Sequence, residues 1–377
     1  MIYQRLFVLH LFTLFSLSVF AQSDKVKPLK SKDILARMEQ VADWQFGDWD
    51  LKGMKHPKWD WTNGACYTGI MALAEISKDK VYENKLIQIG ESLNWNTGPK
   101  RFYADDYCVG QTYSMLYLKN KDLKMIAQWQ RQADSIISKP HTETLEWKNV
   151  IQHREWAWCD ALYMGPPSLA YLSTATGEQK YLDIAAKLWW KTTDYLYSKE
   201  DSLYFRDATY FNKKEKNGKR VFWSRGNGWV IAGLVRLLEN MPAEYHDRKR
   251  FENLYQEMAI KIVSLQQEDG SWYASLLDPT NFNIKETSGT GFYTYALLWG
   301  MNNGLLDKGA TWPVVKKAWF ALSSSVKENG MLGYVQPIGA APDKVDANTT
   351  EVYGTGAFLL TGAELYQFVK QNKKIAK

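Results

Sequence analysis

The chain has 377 residues, a net charge of +6 from 47 Lys and Arg against 41 Asp and Glu, and 14% aromatic residues, 17 of them Trp. So mild and scattered a positive excess argues against nucleic acid as a partner and leaves an anionic small substrate compatible. Cys66, Cys108 and Cys159 form no CxxC pair and are odd in number, which excludes a disulfide framework and predicts buried thiols. The five histidines lack ligand spacing and no glycine loop is shaped for a phosphate, so neither metal nor other cofactor is expected.

In chain order, the first element is a leader. A short basic start ending at Arg5 precedes an apolar run from Leu6 to Phe20, and Val19-Phe20-Ala21 supplies small residues for cleavage. A bilayer span needs about 20 apolar residues, so residues 1–21 read as a removed secretion signal. The mature chain, residues 22–377, is expected to be exported, free of the membrane after cleavage, and built as one catalytic domain.

A small residue followed by an aromatic-rich apolar helix then recurs six times, at Gly69, Gly110, Gly165, Gly228, Gly291 and Gly356. Successive glycines are 41, 55, 63, 63 and 65 residues apart. Between them lie segments of helical periodicity such as "YLDIAAKLWWKTTDYLY" and "FENLYQEMAIKIVSLQQ". Six helical hairpins predict an all-α toroid, an (α/α)6 barrel, with the glycines letting inner backbones crowd at one rim. An open solenoid of helix pairs is the competing layout.

Polar and aromatic residues gather in the six segments that lead into the inner helices, and a closed barrel would bring these to one mouth. "HREWAWCDALYMGPPSLA", residues 153–170, surrounds the lone carboxylate of Asp160 with Trp156, Trp158, Tyr163 and Met164. An apolar aromatic setting raises a carboxyl pKa and makes a proton donor. Asp105 and Asp106 precede the second inner helix, where one acid is expected to cap and the other to face the mouth. Asp207 and Glu286 are reserve acids, each better suited to capping. In "FWSRGNGW", Arg225 offers a planar fork for a carboxylate between the walls of Trp223 and Trp229, with Gly226 and Gly228 allowing tight turns. "NKKEKNGKR", residues 212–220, reads as a solvated hairpin tip.

The motifs "ADDYCVGQTY", "WCDALYMGPP", "WSRGNGW" and "SGTGFYTYAL", in this order, resemble the unsaturated glucuronyl and rhamnogalacturonyl hydrolases of glycoside hydrolase family 105, which is related to family 88. The similarity spans roughly residues 30–370. The resemblance implies an (α/α)6 barrel that removes a 4,5-unsaturated uronic acid from the non-reducing end of lyase-generated oligosaccharides, by hydrating the C4–C5 double bond. It implies Asp160 as the catalytic acid/base and Asp105 as the second carboxylate. It further implies Trp158, Met164, Trp223, Arg225 and Trp229 as substrate-binding residues. Where the family often carries a histidine, this chain reads "LYFRDATY", so Arg206 or Asp207 takes that place. An ordinary inverting glycosidase using Asp105 and Asp160 stays open as an alternative, as does a carbohydrate-binding protein without catalysis. Oligomeric state is not encoded in any of these patterns.

Overall fold

The computed structural model describes residues 29–372, so the leader lies outside the described residues. Outer helices α1 (Ser31–Lys52), α3 (Val81–Ser92), α5 (Lys124–Ser138), α7 (Lys180–Leu196), α9 (Arg248–Ser264) and α11 (Lys308–Ser323) alternate along the chain with inner ones. The inner helices are α2 (Trp61–Ile76), α4 (Gly110–Asn120), α6 (Ala161–Thr176), α8 (Ser224–Glu239), α10 (Thr287–Asn302) and α12 (Val352–Gln371). Each inner helix packs on the next, and α12 packs on α2. The ring therefore closes, giving an (α/α)6 barrel and not an open solenoid. Among the described residues, the only paired strands are two-residue ladders, Tyr197–Ser198 with Leu203–Tyr204 and Trp272–Tyr273 with Lys285–Glu286. No described helix is long and apolar enough to cross a membrane.

The two rings differ as their sequences require. In α10 every residue from Thr287 to Met301 is buried, because an inner helix is covered on all sides. In α5 only a stripe is buried, including Met125, Ile126, Trp129, Ala133 and Ile136, at the spacing of one helical face. Closure depends on backbone contact between α2 and α12. A Cβ on Gly69 would overlap the carbonyl of Gly356, and one on Gly356 would overlap the carbonyl of Ala65. These two glycines sit within their helices and not at the start, a difference from the sequence expectation.

Pro166 and Pro167 fall inside α6, where proline removes the amide donor to the residue four back. The carbonyl of Tyr163, left without Pro167 as donor, accepts instead from Gln111 Nε2 on α4 at 2.9 Å. Gln111 Oε1 in turn accepts from Arg236 Nε on α8 at 2.6 Å. One proline thus creates a polar tie across three inner helices. All three cysteines are free and buried, as their setting in the sequence predicts.

Candidate active site

At the end of the barrel where the inner helices begin lies a cavity, open to solvent, of about 620 Å³ counted with the space at its mouth. Its walls come from five of the six inner-helix leaders: Trp61 from the first, Tyr103 and Asp105 from the second, and Trp147, Gln152, Trp158, Asp160 and Met164 at the third. Trp223 and Arg225 come from the fourth, Ile338 and Gly339 from the loop before the sixth, and Arg206 from the short hairpin after α7. The fifth leader contributes no wall residue. Its Glu286 is spent as a cap, accepting from Ser288 N at 2.9 Å and Gly289 N at 2.7 Å.

The acids divide by what they bind. Asp60 caps α2 by accepting from Thr62 N at 2.9 Å, and Asp207 accepts from Thr209 N at 2.8 Å and pairs with Arg206. Asp106 accepts from Lys100 N at 2.6 Å and fastens the preceding loop. Asp160 stands at the start of α6 yet makes no cap hydrogen bond. Its carboxylate meets only the Cys159 thiol, at 3.4 Å. Asp105 is 7% exposed and heads the same 3-10 turn as Asp106 without capping it. Two carboxyl groups are thereby left for the cavity.

Burial raises the pKa of both. Asp105 is pushed up to about 7 by desolvation; the Tyr103 hydroxyl beside it opposes the shift, and the charges of Asp160, Asp60 and Asp106 add to it. Asp160 is also raised by desolvation, while the positive charges of Arg206 and Arg225 pull against that rise. The Asp160 charge adds to the rise of Asp105, so the titration of these neighbouring acids is read as that of a pair.

Arg225 is 1% exposed and lies 4.5 Å from the Trp223 ring and 5.0 Å from that of Tyr353. Its two terminal nitrogens are largely occupied: Nη1 donates to the carbonyls of Gln336 and Pro337 and to the Tyr353 hydroxyl, and Nη2 donates to Pro337. Only Nε is left without a partner, so the full fork expected from the sequence is not free. Arg206 Nε is also unpartnered, its Nη1 pairs with Asp207 at 2.5 Å, and its guanidinium covers the Trp147 ring at 4.7 Å. A buried donor without a partner costs roughly 1–3 kcal/mol, and these two belong to arginines that line the cavity.

Trp229 does not reach the cavity. It is fully buried, edge-on to Trp61 at 5.9 Å and against Phe292 at 4.2 Å, because its place one turn into α8 turns it toward the core. It supports the Trp61 wall from behind. Gly226 and Gly228 are likewise helical: a Cβ on Gly226 would lie 3.0 Å from the Trp223 ring, and one on Gly228 would lie 3.3 Å from Gly289 Cα. They make room for neighbours and do not form turns. Sequence reasoning missed Trp61, Tyr103, Trp147, Gln152, Ile338 and Gly339. Tyr103 lies two residues before Asp105, which was singled out, whereas Trp147, Ile338 and Gly339 lie in loops with no periodic signal.

The cavity thus holds two uncapped carboxyls, four indoles around them and two arginines whose Nε atoms have no partner. Against this geometry, the family description Glycosyl Hydrolase Family 88 matches residues 37–369. This chain belongs to glycosyl hydrolase family 88. Within the family it is 38% identical over 367 residues to an unsaturated 3S-rhamnoglycuronyl hydrolase of Formosa agariphila, covering 93% of this chain and 94% of that protein. An enzyme of the same name from an Alteromonas strain is 35% identical over 364 residues, covering 91% and 88%. A solved family 88 structure from Bacteroides vulgatus superposes with a TM-score of 0.81 at 31% identity, covering 90% of this chain and all of that one. As a family 88 member the chain is a glycoside hydrolase.

Proposed function

We propose that this enzyme removes a 4,5-unsaturated uronic acid from the non-reducing end of an oligosaccharide left by a polysaccharide lyase, and that the sugar released behind it is a rhamnose. The observation that carries the reading is the pair of uncapped, pKa-raised carboxyls in a cavity whose two arginines keep unpartnered donors. Support for the aglycone comes from the two relatives named unsaturated 3S-rhamnoglycuronyl hydrolase. The leader read in the sequence makes the enzyme an exported one.

Asp160 gives its proton to C4 of the vinyl ether, and positive character develops at C5 and the ring oxygen. Such a step is general-acid catalysis and needs a carboxyl kept protonated near neutral pH. Water adds its oxygen to C5 and returns a proton to the carboxylate. The resulting C5 hemiketal opens to a ketone, which leaves C1 as a hemiacetal that expels the sugar behind it. Asp105 is the second carboxyl of the pair and sets the proton balance. The Nε donors of Arg206 and Arg225 meet the substrate carboxylate, offsetting its desolvation with charge-assisted hydrogen bonds. Trp158, Trp61, Trp223 and Met164 exclude water from the ring.

The test is a panel of lyase-digested pectin, arabinogalactan, glycosaminoglycan and ulvan, followed by loss of the ultraviolet absorbance of the conjugated double bond. Turnover is expected on the rhamnose-linked uronyl ends. Activity on intact aryl glycosides with none on unsaturated ends would overturn the reading in favour of an ordinary inverting glycosidase.

A further inference from the structure

The loop before the sixth inner helix holds one side chain that does not line the cavity and is nevertheless bonded to its walls. Gln336 is 0% exposed, and each of its polar groups is taken. Its Oε1 accepts from Trp223 Nε1 at 3.0 Å, and its Nε2 donates to the Ala341 carbonyl at 2.7 Å. Its amide donates to Glu286 Oε1 at 3.2 Å. Its carbonyl accepts twice, from Arg225 Nη1 and from the Tyr353 hydroxyl.

Most of these bonds lead to the substrate's side of the barrel. Trp223 and Arg225 are cavity walls themselves, and Tyr353 stacks at 5.4 Å on Trp61, another wall. The bond to Ala341 closes residues 337–341 into a turn, and that turn carries Ile338 and Gly339 to the cavity. The Glu286 contact roots the turn on the cap of α10. An amide side chain serves both ends because it accepts from an indole N–H and donates to a carbonyl at once. A carboxylate here would set two acceptors face to face at Ala341. An apolar side chain would leave the Trp223 N–H buried without a partner, since that indole is 2% exposed.

We infer that Gln336 is a positioning residue for substrate binding, which ties the Trp223 indole to the turn 337–341 and so sets the spacing of those two walls. This inference rests on the proposed function only for the substrate used to read it. Gln336 makes no hydrogen bond to Asp105 or Asp160, so changing its side chain leaves the proton-transfer groups in place. The walls hold the sugar ring alike before and during proton transfer, and an interaction of that kind shows in KM and not in kcat.

Gln336→Met keeps the side-chain volume and the backbone carbonyl and removes both side-chain bonds. On a lyase-generated unsaturated disaccharide it should raise KM about fivefold, the worth of one neutral hydrogen bond, with kcat and the pH profile of the rate unchanged. Gln336→Glu keeps an acceptor for the indole and loses the donor to Ala341, so its KM should rise less. Added to Trp223→Phe, which removes the same indole N–H, Gln336→Met should raise KM by clearly less than it does alone. Without substrate, the indole resonance that vanishes from the proton–nitrogen correlation spectrum of Trp223→Phe should shift in Gln336→Met and stay in place in Gln336→Glu. An unchanged KM in Gln336→Met, a drop in kcat at constant KM, or the full rise repeated on top of Trp223→Phe would overturn the positioning role and leave the proposed function standing. If Gln336→Met is recovered unfolded, Gln336→Glu decides on its own, and a KM equal to that of the wild type overturns the role. No turnover of the disaccharide by the wild type would overturn the proposed function itself, and the indole resonance would then decide the role of Gln336.

Discussion

The two ends of the barrel both hold acids around arginine, yet only one is built for chemistry. At the far end, Glu239, Glu364 and Arg236 line a hollow of about 490 Å³. Burial pushes Glu364 up to about 7, the same level that Asp105 reaches at the mouth. A raised carboxyl is therefore not what distinguishes them. At the far end most polar groups have partners, Glu75 and Asn302 Oδ1 excepted: Tyr171 and Tyr295 donate to Glu239 at 2.9 and 3.1 Å, Asn302 donates to Glu364 at 2.6 Å, and Arg236 donates to Gln111. At the mouth, Asp105 and Asp160 have only a tyrosine hydroxyl and a thiol beside them, and two arginine Nε atoms have nothing. Satisfied networks lock a fold, while unsatisfied ones await a ligand.

The comparison breaks most sharply on substitution of the acids. Asp160→Asn should keep the fold and lose at least about two orders of magnitude in rate, the usual scale for a general acid. Asp105→Asn should be severely impaired as well. Glu239→Gln at the far end should leave the rate unchanged. Near-wild-type turnover by Asp160→Asn, measured by the ultraviolet decay, would remove the proposed mechanism; if only Asp105 matters, the two roles are exchanged.

A pH profile sharpens the mouth's side. Asp105 holds its proton below about 7 and loses it above, so the rate should fall as pH climbs through that value. The residual activity of Asp105→Asn should lack that basic limb. A profile flat from acid to well above neutral would show that the shared proton does not limit the reaction.

Smaller effects separate the two arginines. Arg206→Lys keeps the charge but loses the planar fork, and KM should rise about tenfold, the loss of one hydrogen bond to a charged group, with Tm little changed. Arg225→Lys should weaken binding similarly and lower Tm too, because it also releases the carbonyls of Gln336 and Pro337. Unchanged kinetics in both variants would send the search for the carboxylate partner elsewhere.

The smallest expected effect lies at the far end. Glu364 rises from 4.5 to about 7 on folding, so between those values the native protein holds more protons than the unfolded chain. Stability then falls as pH rises through that window, and the loss is complete above about 7. Glu364→Gln removes this term and keeps an acceptor for Asn302, so its Tm should gain on the wild type as pH rises from 5 to about 8. A constant Tm difference across that range would show the carboxyl is not coupled to folding.

The sequence by itself determined the six-fold architecture, because inner and outer helices carry different patterns that survive as periodicity: α10 is small, aromatic or apolar on every face and α5 is striped. It also pointed to Asp160, to Asp105 or its neighbour Asp106, and to Trp158 and Trp223 of the wall, since acids and indoles gather in the segments that lead into the inner helices. Three things were decided only in three dimensions. Trp229 was assigned to the substrate by its neighbours in the chain, but helix rotation turned it into the core. Arg225 was credited with a free fork, but carbonyls 111 and 112 residues away claim most of it. Trp147, Ile338 and Gly339 reach the cavity from irregular loops, where no repeating geometry links position in the chain to direction in space. Local pattern specifies what a residue's own element makes of it. Which distant backbone atoms satisfy its donors is fixed only when the ring closes.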